Sequence, residues 1–288
     1  MPDRLLIFGL GYSGAAIANE ARRAGWPVAA TYRGAPPDWT GITPIAFATA
    51  ASAIATATHI LSTVPPGMDG DPVLRVHAAA IRAAPALRWI GYLSTTGVYG
   101  DRAGQWVDET TAAAPLADRS CRRLVAEIAW TNVSQGRAMD IFRCAGIYGP
   151  GRSAFDDLRA GRARRVIRPG HAFGRIHRDD IAGAILAALA QNSPPGPRIL
   201  HLADDEPAEP ATIVAEAAAL LGIAPPRETL FAEAWKTMSP MARSFWAENR
   251  KVSAHRTQAA LHYRWRYPSY REGLRTILIE ERAKGLLQ

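Results

Sequence analysis

The first thirty residues constrain the fold more than any other stretch. Arg4-Leu-Leu-Ile-Phe8 is a short apolar run, and Gly9-Leu-Gly11-Tyr12-Ser13-Gly14 follows it. Ala15 to Ala24 then favours helix and is stopped by Gly25, after which Val28-Ala-Ala-Thr31 is apolar again. Strand, glycine turn, helix and strand within about 30 residues make a βαβ unit. In that setting Gly9-x-Gly11-x-x-Gly14 has a physical task. The glycines permit a tight turn and let the backbone approach a pyrophosphate, whose charge rests on the helix N-terminus. Gly9, Gly11, Tyr12, Ser13 and Gly14 are therefore candidate contacts to a dinucleotide.

The end of the second strand bears on which dinucleotide. A site for NAD(H) would place Asp or Glu there to accept from the ribose 2′-hydroxyl. This chain has Thr31-Tyr32-Arg33-Gly34, with no acid before Asp38. A guanidinium in that place pairs with a 2′-phosphate, so Arg33 points to NADP(H) in preference to NAD(H).

Strands and helices keep alternating: His59 to Val64, helical Val73 to Ala84, Arg88 to Ser94, helical Leu116 to Thr131, then Met139 to Cys144. Such alternation predicts an α/β fold, a Rossmann-type doubly wound parallel sheet covered on both faces. After Gly149-Pro150-Gly151 the strand signals become short and irregular. The expected division is a nucleotide-binding domain over 1–150, with return segments at about 175–203, and a small C-terminal substrate or cap region within 151–288. Ligands in such sheets sit at the carboxyl ends of the strands. The tips Ser62-Thr63-Val64, Ser94 to Thr96 and Cys144 to Ile147 are thus expected to wall a nicotinamide pocket.

Composition narrows the partners. At 48% hydrophobic and 21% charged residues, the chain is neither disordered nor fibrous. Its net charge is +8, and all but three of its 34 cations are arginine, suited to phosphate and carboxylate. The arginines lie in scattered groups without a nucleic-acid-binding motif, so a small anionic molecule is expected and nucleic acid is not. No apolar run approaches the ~20 residues of a membrane span. The start is too short for a signal segment, so a cytoplasmic protein without membrane partner is expected. Cys121 and Cys144 have no CxxC spacing, and no metal site is expected.

Three further segments resemble the extended short-chain dehydrogenase/reductase (SDR) family, the group of sugar-nucleotide epimerases and dehydratases. They are Leu93-Ser-Thr-Thr-Gly-Val-Tyr-Gly100, Phe142-Arg-Cys-Ala-Gly-Ile-Tyr-Gly-Pro-Gly-Arg152 and Arg175-Ile-His-Arg-Asp-Asp-Ile181. With the glycine turn they run in the family's order over residues 4–190. Tyr267-Pro-Ser-Tyr-Arg-Glu-Gly273 looks like the end of an atypical bacterial branch. The resemblance implies Thr95 at the catalytic Ser/Thr position, Tyr148, Arg152 and Arg175 on the substrate side, and a homodimer through helices near Asp71–Ala84 and Leu116–Trp130.

The chain departs from the family where chemistry is done. The first glycine of GxxGxxG is Phe8, and Cys144 replaces a proline. Arg175 stands nearer its histidine than in the sugar-nucleotide epimerases. In the catalytic YxxxK, Arg119 falls on the tyrosine and Arg123 on the lysine, and no tyrosine occurs between Gly100 and Ile147. Arginine, with pKa above about 12, cannot exchange the substrate's proton, though Arg123 can still hold ribose hydroxyls. Tyr99, Tyr148, His171 and His177 are the nearest replacements along the chain, Tyr99 being the catalytic candidate. His177 also suits a helix cap, and Asp108-Glu109 a turn. Two functions remain: an NADP(H)-dependent oxidoreductase or epimerase of a polar, sugar- or nucleotide-like substrate, or a catalytically inert NADP(H)-binding redox-sensor module.

Overall fold

Leu5, Leu6, Ile7 and Phe8 are all buried, because the strand they form is covered on both faces. Leu5 and Ile7 point to one apolar cluster and Leu6 and Phe8 to another, the period-two alternation of a strand. In this computed structural model, which describes residues 3–285, that strand is β1 (Leu5–Phe8). The others of the main sheet are β2 (Val28–Tyr32), β3 (Thr43–Ala46), β4 (His59–Ser62), β5 (Trp89–Thr95), β6 (Ala138–Cys144) and β7 (Gly196–Leu202). Every neighbouring pair is parallel, and the order is β3-β2-β1-β4-β5-β6-β7. The order reverses between β1 and β4, and beyond that point the carboxyl ends open a crevice.

Helices cover both faces. They are α1 (Tyr12–Arg23), α2 (Ala51–Thr56), α3 (Pro72–Ala83), α4 (Asp118–Ser134), α5 (Ala154–Arg159) and α6 (Arg178–Leu189), followed by α7 (Pro210–Leu221), α8 (Phe231–Thr237), α9 (Pro240–Trp246), α10 (His255–Leu261) and α11 (Tyr270–Ala283). Ile17 of α1 and Ile181 and Ile185 of α6 pack with Leu5 and Ile7; Ile54 of α2, Val73 and Ile81 of α3 and Trp130 of α4 pack with Leu6 and Phe8. Each fully buried side chain of this size contributes about 1.5–3 kcal/mol. Caps fix where helices start. Asp71 Oδ1 accepts from the Val73 and Leu74 amides, and its Oδ2 accepts from Trp130 Nε1 at 2.9 Å, tying α3 to α4.

Within the first 150 residues two of these strands and helices are absent from the sequence reading, β3 and α2; past residue 150 the short helix α5 is absent from it too. β3 is an edge strand that carries Pro44 and exposes Thr43, which weakens its signal. Helix α1 also starts three residues earlier than expected, because Gly11 serves as its cap. Three short parallel pairs lie outside the main sheet: 146–148 with 175–177 and 106–107 with 251–252 join the C-terminal part to the first 150 residues, and 165–167 with 228–230 forms within it. A third core, including Tyr148, Phe155, Ile213 and Leu274, lies under α5, α7 and α11. Among the described residues no helix is long and apolar enough to cross a membrane.

Candidate functional site

The glycine turn is shaped by contacts that exclude side chains. Gly9 has φ +89°, and a Cβ there would meet Val64 Cγ2 at 2.9 Å; a Cβ on Gly14 would meet the Gly9 carbonyl oxygen at 2.3 Å. Thr63 Oγ1 donates to that same carbonyl at 2.6 Å, so β4's tip buttresses the turn. Gly11 differs, since nothing lies within 4 Å of where its Cβ would stand. No side chain caps α1 and its first turn holds no acid. Helix N-termini carry unsatisfied N–H groups and about half a positive charge, so the residues present fit a pyrophosphate. Arg33, exposed just past β2, makes no hydrogen bond or ion pair among the described residues.

Tyr12, the first residue of α1, links this turn to the substrate side. Its hydroxyl donates to the Pro150 carbonyl at 3.1 Å. The guanidinium carbons of Arg178 and Arg152 lie 4.9 and 5.6 Å from its ring centre.

Beyond the sheet's carboxyl ends is a cleft of about 1050 Å³. It brings together Ser94, Thr95, Cys144, Ile147, Tyr148, Arg123, Arg152 and Arg175, as the sequence suggested, with Arg119, Arg164, Glu248 and Arg250. Among the described residues six arginines and one acid line it. Thr95 Oγ1 accepts from the Gly97 amide at 3.1 Å. Arg123 donates to the Leu93 carbonyl at 2.8 Å and to Tyr92 Oη at 3.1 Å, which ties the guanidinium to β5. Arg119, four residues away on the same face of α4, stacks on Phe245 with 3.6 Å to the ring centre. Burial lowers its pKa, against the pull of Glu248. Burial pushes the Cys144 thiol up to about 12, so it is no thiolate at neutral pH.

Arg175 and Tyr148 reach the cleft already engaged. Arg175 donates to the carbonyls of Phe173 and Ala208, and burial brings its pKa down to about 10 despite the nearby Asp204. Tyr148 Oη donates to the Ser269 carbonyl at 3.3 Å, and burial raises its pKa.

Tyr99 is not brought to the cleft, against its candidacy as a catalytic residue. It is fully buried, and its hydroxyl lies 2.7 Å from Arg143 Nη1, which donates to it, and 2.5 Å from His201 Nε2. Arg143 in turn makes two bonds to Glu127, at 3.1 and 2.7 Å, and Ser94 Oγ donates to Glu127 at 2.5 Å. This network braces β5, β6, β7 and α4 from within. Burial raises the Tyr99 pKa to about 12. Ser62 Oγ is buried without a partner among the described residues and, like Thr63 and Val64, lies outside the cleft lining.

The histidines are structural in their contacts. His177 Nδ1 accepts from the Asp179 amide and caps α6, while His171 stacks on Trp246. Asp108 closes a turn onto Thr110 and Thr111, and Glu109 accepts from Thr257. Sequence reasoning missed Glu248, Arg250 and Phe245, which come from a segment with no motif.

No family model matches the chain. Over 142 residues it is 35% identical to protein YeeZ of Escherichia coli K12, 47% of each chain. Over 160 residues it is 31% identical to a 3-diazoavenalumate denitrifying reductase of a Streptomyces species, 53% of this chain and 51% of that one. The chain thus spans about half the length of the curated relatives it matches. Among solved structures, a functionally unknown conserved protein from Silicibacter pomeroyi is 39% identical with TM-score 0.88, covering 96% of this chain and 99% of that one. Human epimerase family protein SDR39U1 with NADPH has TM-score 0.74 at 18% identity, over 95% and 98% of the two chains. UDP-glucuronic acid 4-epimerase from Bacillus cereus in complex with NAD has TM-score 0.73 at 15% identity, over 94% and 96%. The sheet order, the glycine turn at its switch point and these likenesses agree: the chain belongs to one family with the functionally unknown conserved protein from Silicibacter pomeroyi and has the fold of the NAD(P)-binding epimerase structures.

Proposed function

We propose that the chain is an NADP(H)-dependent oxidoreductase or epimerase acting on a polar, anionic small molecule. The observation that carries this reading is the uncapped N-terminus of α1 beside the open face of Gly11. Gly9, Gly11, Tyr12, Ser13 and Gly14 would hold the pyrophosphate, and Arg33 the 2′-phosphate. Ser94, Thr95, Cys144 and Ile147 would flank the nicotinamide. When bound, the cofactor supplies or accepts a hydride. Thr95 orients a substrate oxygen, and Arg123 adds positive charge beside it. Six arginines against one acid favour an anionic substrate, as in structural relatives whose named ligands are nucleotide sugars. Exposed Val76, Val125 and Ile128 on α3 and α4 support a homodimer through those helices, which light scattering tests.

Arg119 in the tyrosine's place favours a second reading, an NADP(H)-binding module without turnover. Losing a positioned acid or base removes about 10²–10⁴-fold of rate. Calorimetry with NADPH and NADH tests the cofactor, and tighter NADH binding overturns the preference. Stopped-flow oxidation of NADPH against carbonyl and nucleotide-sugar compounds then separates the two. Tight NADPH binding with no turnover on any of them would reject the enzyme.

A further inference from the structure

Among the described residues Glu248 is the single carboxylate lining the cleft, and it is only 5% exposed. Its Oε2 accepts from Arg250 Nη1 at 2.6 Å, and that nitrogen also donates to the Gly100 carbonyl at 2.7 Å. Its Oε1 is buried and has no hydrogen-bond partner among the described residues. A buried acceptor left without a donor is costly, and proteins keep few of them. Arg119 is its complement. The guanidinium stands on the Phe245 ring and makes no hydrogen bond or ion pair among the described residues. The two groups influence each other electrostatically without pairing. Glu248 and Arg119 both line the cleft, the first with a buried oxygen that lacks a donor and the second with a guanidinium that lacks an acceptor among the described residues.

We infer that this pair selects the substrate: a hydroxylated organic anion, phosphate ester or carboxylate, with its charge on Arg119 and a hydroxyl donating to Glu248 Oε1. The inference rests on the reading of this cleft as the substrate site and adds the class of molecule it takes. Arg250 has a positioning role, because it commits one oxygen of Glu248 and so aims the other. A bare anion would satisfy Arg119 alone, and a neutral polyol Glu248 alone.

The test is calorimetric titration of the full chain with glucose 1-phosphate against inorganic phosphate, and with glycerate against propionate. The wild-type protein should favour the hydroxylated member of at least one pair by about ten-fold, the value of a hydrogen bond to a charged group. In Glu248→Gln the amide oxygen stays with Arg250 and the NH₂ group faces the cleft, a donor where an acceptor stood. The preference should fall to about one, while the bare anion binds at least as tightly because a negative charge has gone. Arg119→Ala removes a partly exposed side chain with no hydrogen bonds, so it folds whatever Glu248→Gln does. It should weaken both members of a pair by about ten-fold and leave their ratio intact. A preference that survives Glu248→Gln, a wild-type protein without one, an Arg119→Ala variant that keeps anion affinity, or failure of all four probes to bind overturns the inference. NADPH titrated into the same proteins keeps the two questions apart. Loss of NADPH binding by the wild type refutes the proposed function and leaves the probe result standing.

Discussion

Gly11 and Gly14 sit three residues apart in one turn, yet alanine should act on them in opposite ways. At Gly11 the backbone is extended, with φ −77° and ψ −162°, and the new methyl group would meet nothing within 4 Å. Alanine caps a helix slightly less well than glycine, and its unfolded chain has less freedom to lose. The two effects oppose each other, so stability should change by less than about 1 kcal/mol. The methyl would, however, occupy the space a pyrophosphate needs. Losing one or two charge-assisted hydrogen bonds to backbone N–H groups, at about 1.5–3 kcal/mol each, lowers NADPH affinity at least ten-fold. At Gly14 the methyl would stand 2.3 Å from the Gly9 carbonyl oxygen, where real Cβ atoms essentially never come within 3.0 Å. The helix must shift against the turn, an overpacking cost of about 1–3 kcal/mol or more. Thermal unfolding and NADPH calorimetry on both variants give the readout. Gly11→Ala should melt within a few degrees of wild type and bind poorly, whereas Gly14→Ala should melt lower by roughly 2–4 °C per kcal/mol. A Gly11→Ala protein that binds NADPH as tightly as wild type would show that no phosphate lies over α1.

If Arg33 holds the 2′-phosphate as proposed, Arg33→Ser should cost NADPH about 10–100-fold in affinity and leave NADH unchanged; equal losses for both cofactors would place the side chain elsewhere. Glu127→Ala strands Arg143 among β5, β6 and α4 and should destabilise the protein by about 3–5 kcal/mol in urea unfolding, so a loss under 1 kcal/mol would refute the bracing role of this pair. Burial brings His59, His171 and His177 from 6.5 down to about 4. Between those values these three rings bind more protons unfolded than folded, so their contribution to stability is lost as pH drops from about 6.5 to 4, while burial raises the Asp180, Asp204 and Asp205 carboxyls and works in the opposite sense. Imidazole NMR titration isolates the histidines: ring protons of these three that shift near pH 6.5 in the folded protein contradict the burial of neutral imidazoles.

Much of the frame was legible from residue order. Leu5 to Phe8, the glycines and Ala15 to Ala24 carry their structure locally, through period, turn geometry and helix propensity, and the same holds for α3, α4 and β5 to within a few residues. The strand tips at Ser94 to Thr95 and Cys144 to Ile147 were legible too, because a parallel α/β sheet has one ligand-bearing end. β3 escaped because Pro44 and its exposed neighbours blur the alternation that marks a strand. Asp108-Glu109 and His177 read correctly as turn and cap, since their partners lie within three residues or, for Glu109, in a role a capping acid often takes.

Sequence by itself determined the βαβ start, the glycines at a helix end, the arginine after β2 and the absence of tyrosine between Gly100 and Ile147, all of which depend on neighbours along the chain. Only the tertiary structure decided which side chains share a space. Tyr99 is turned inward because His201, 102 residues away, and Arg143 claim its hydroxyl. Glu248, two residues past α9 and bonded to Arg250, lines the same cleft as Arg119, 129 residues away. Burial and pairing are set by contacts across long sequence separations, and no local pattern encodes which polar atom is left without a partner.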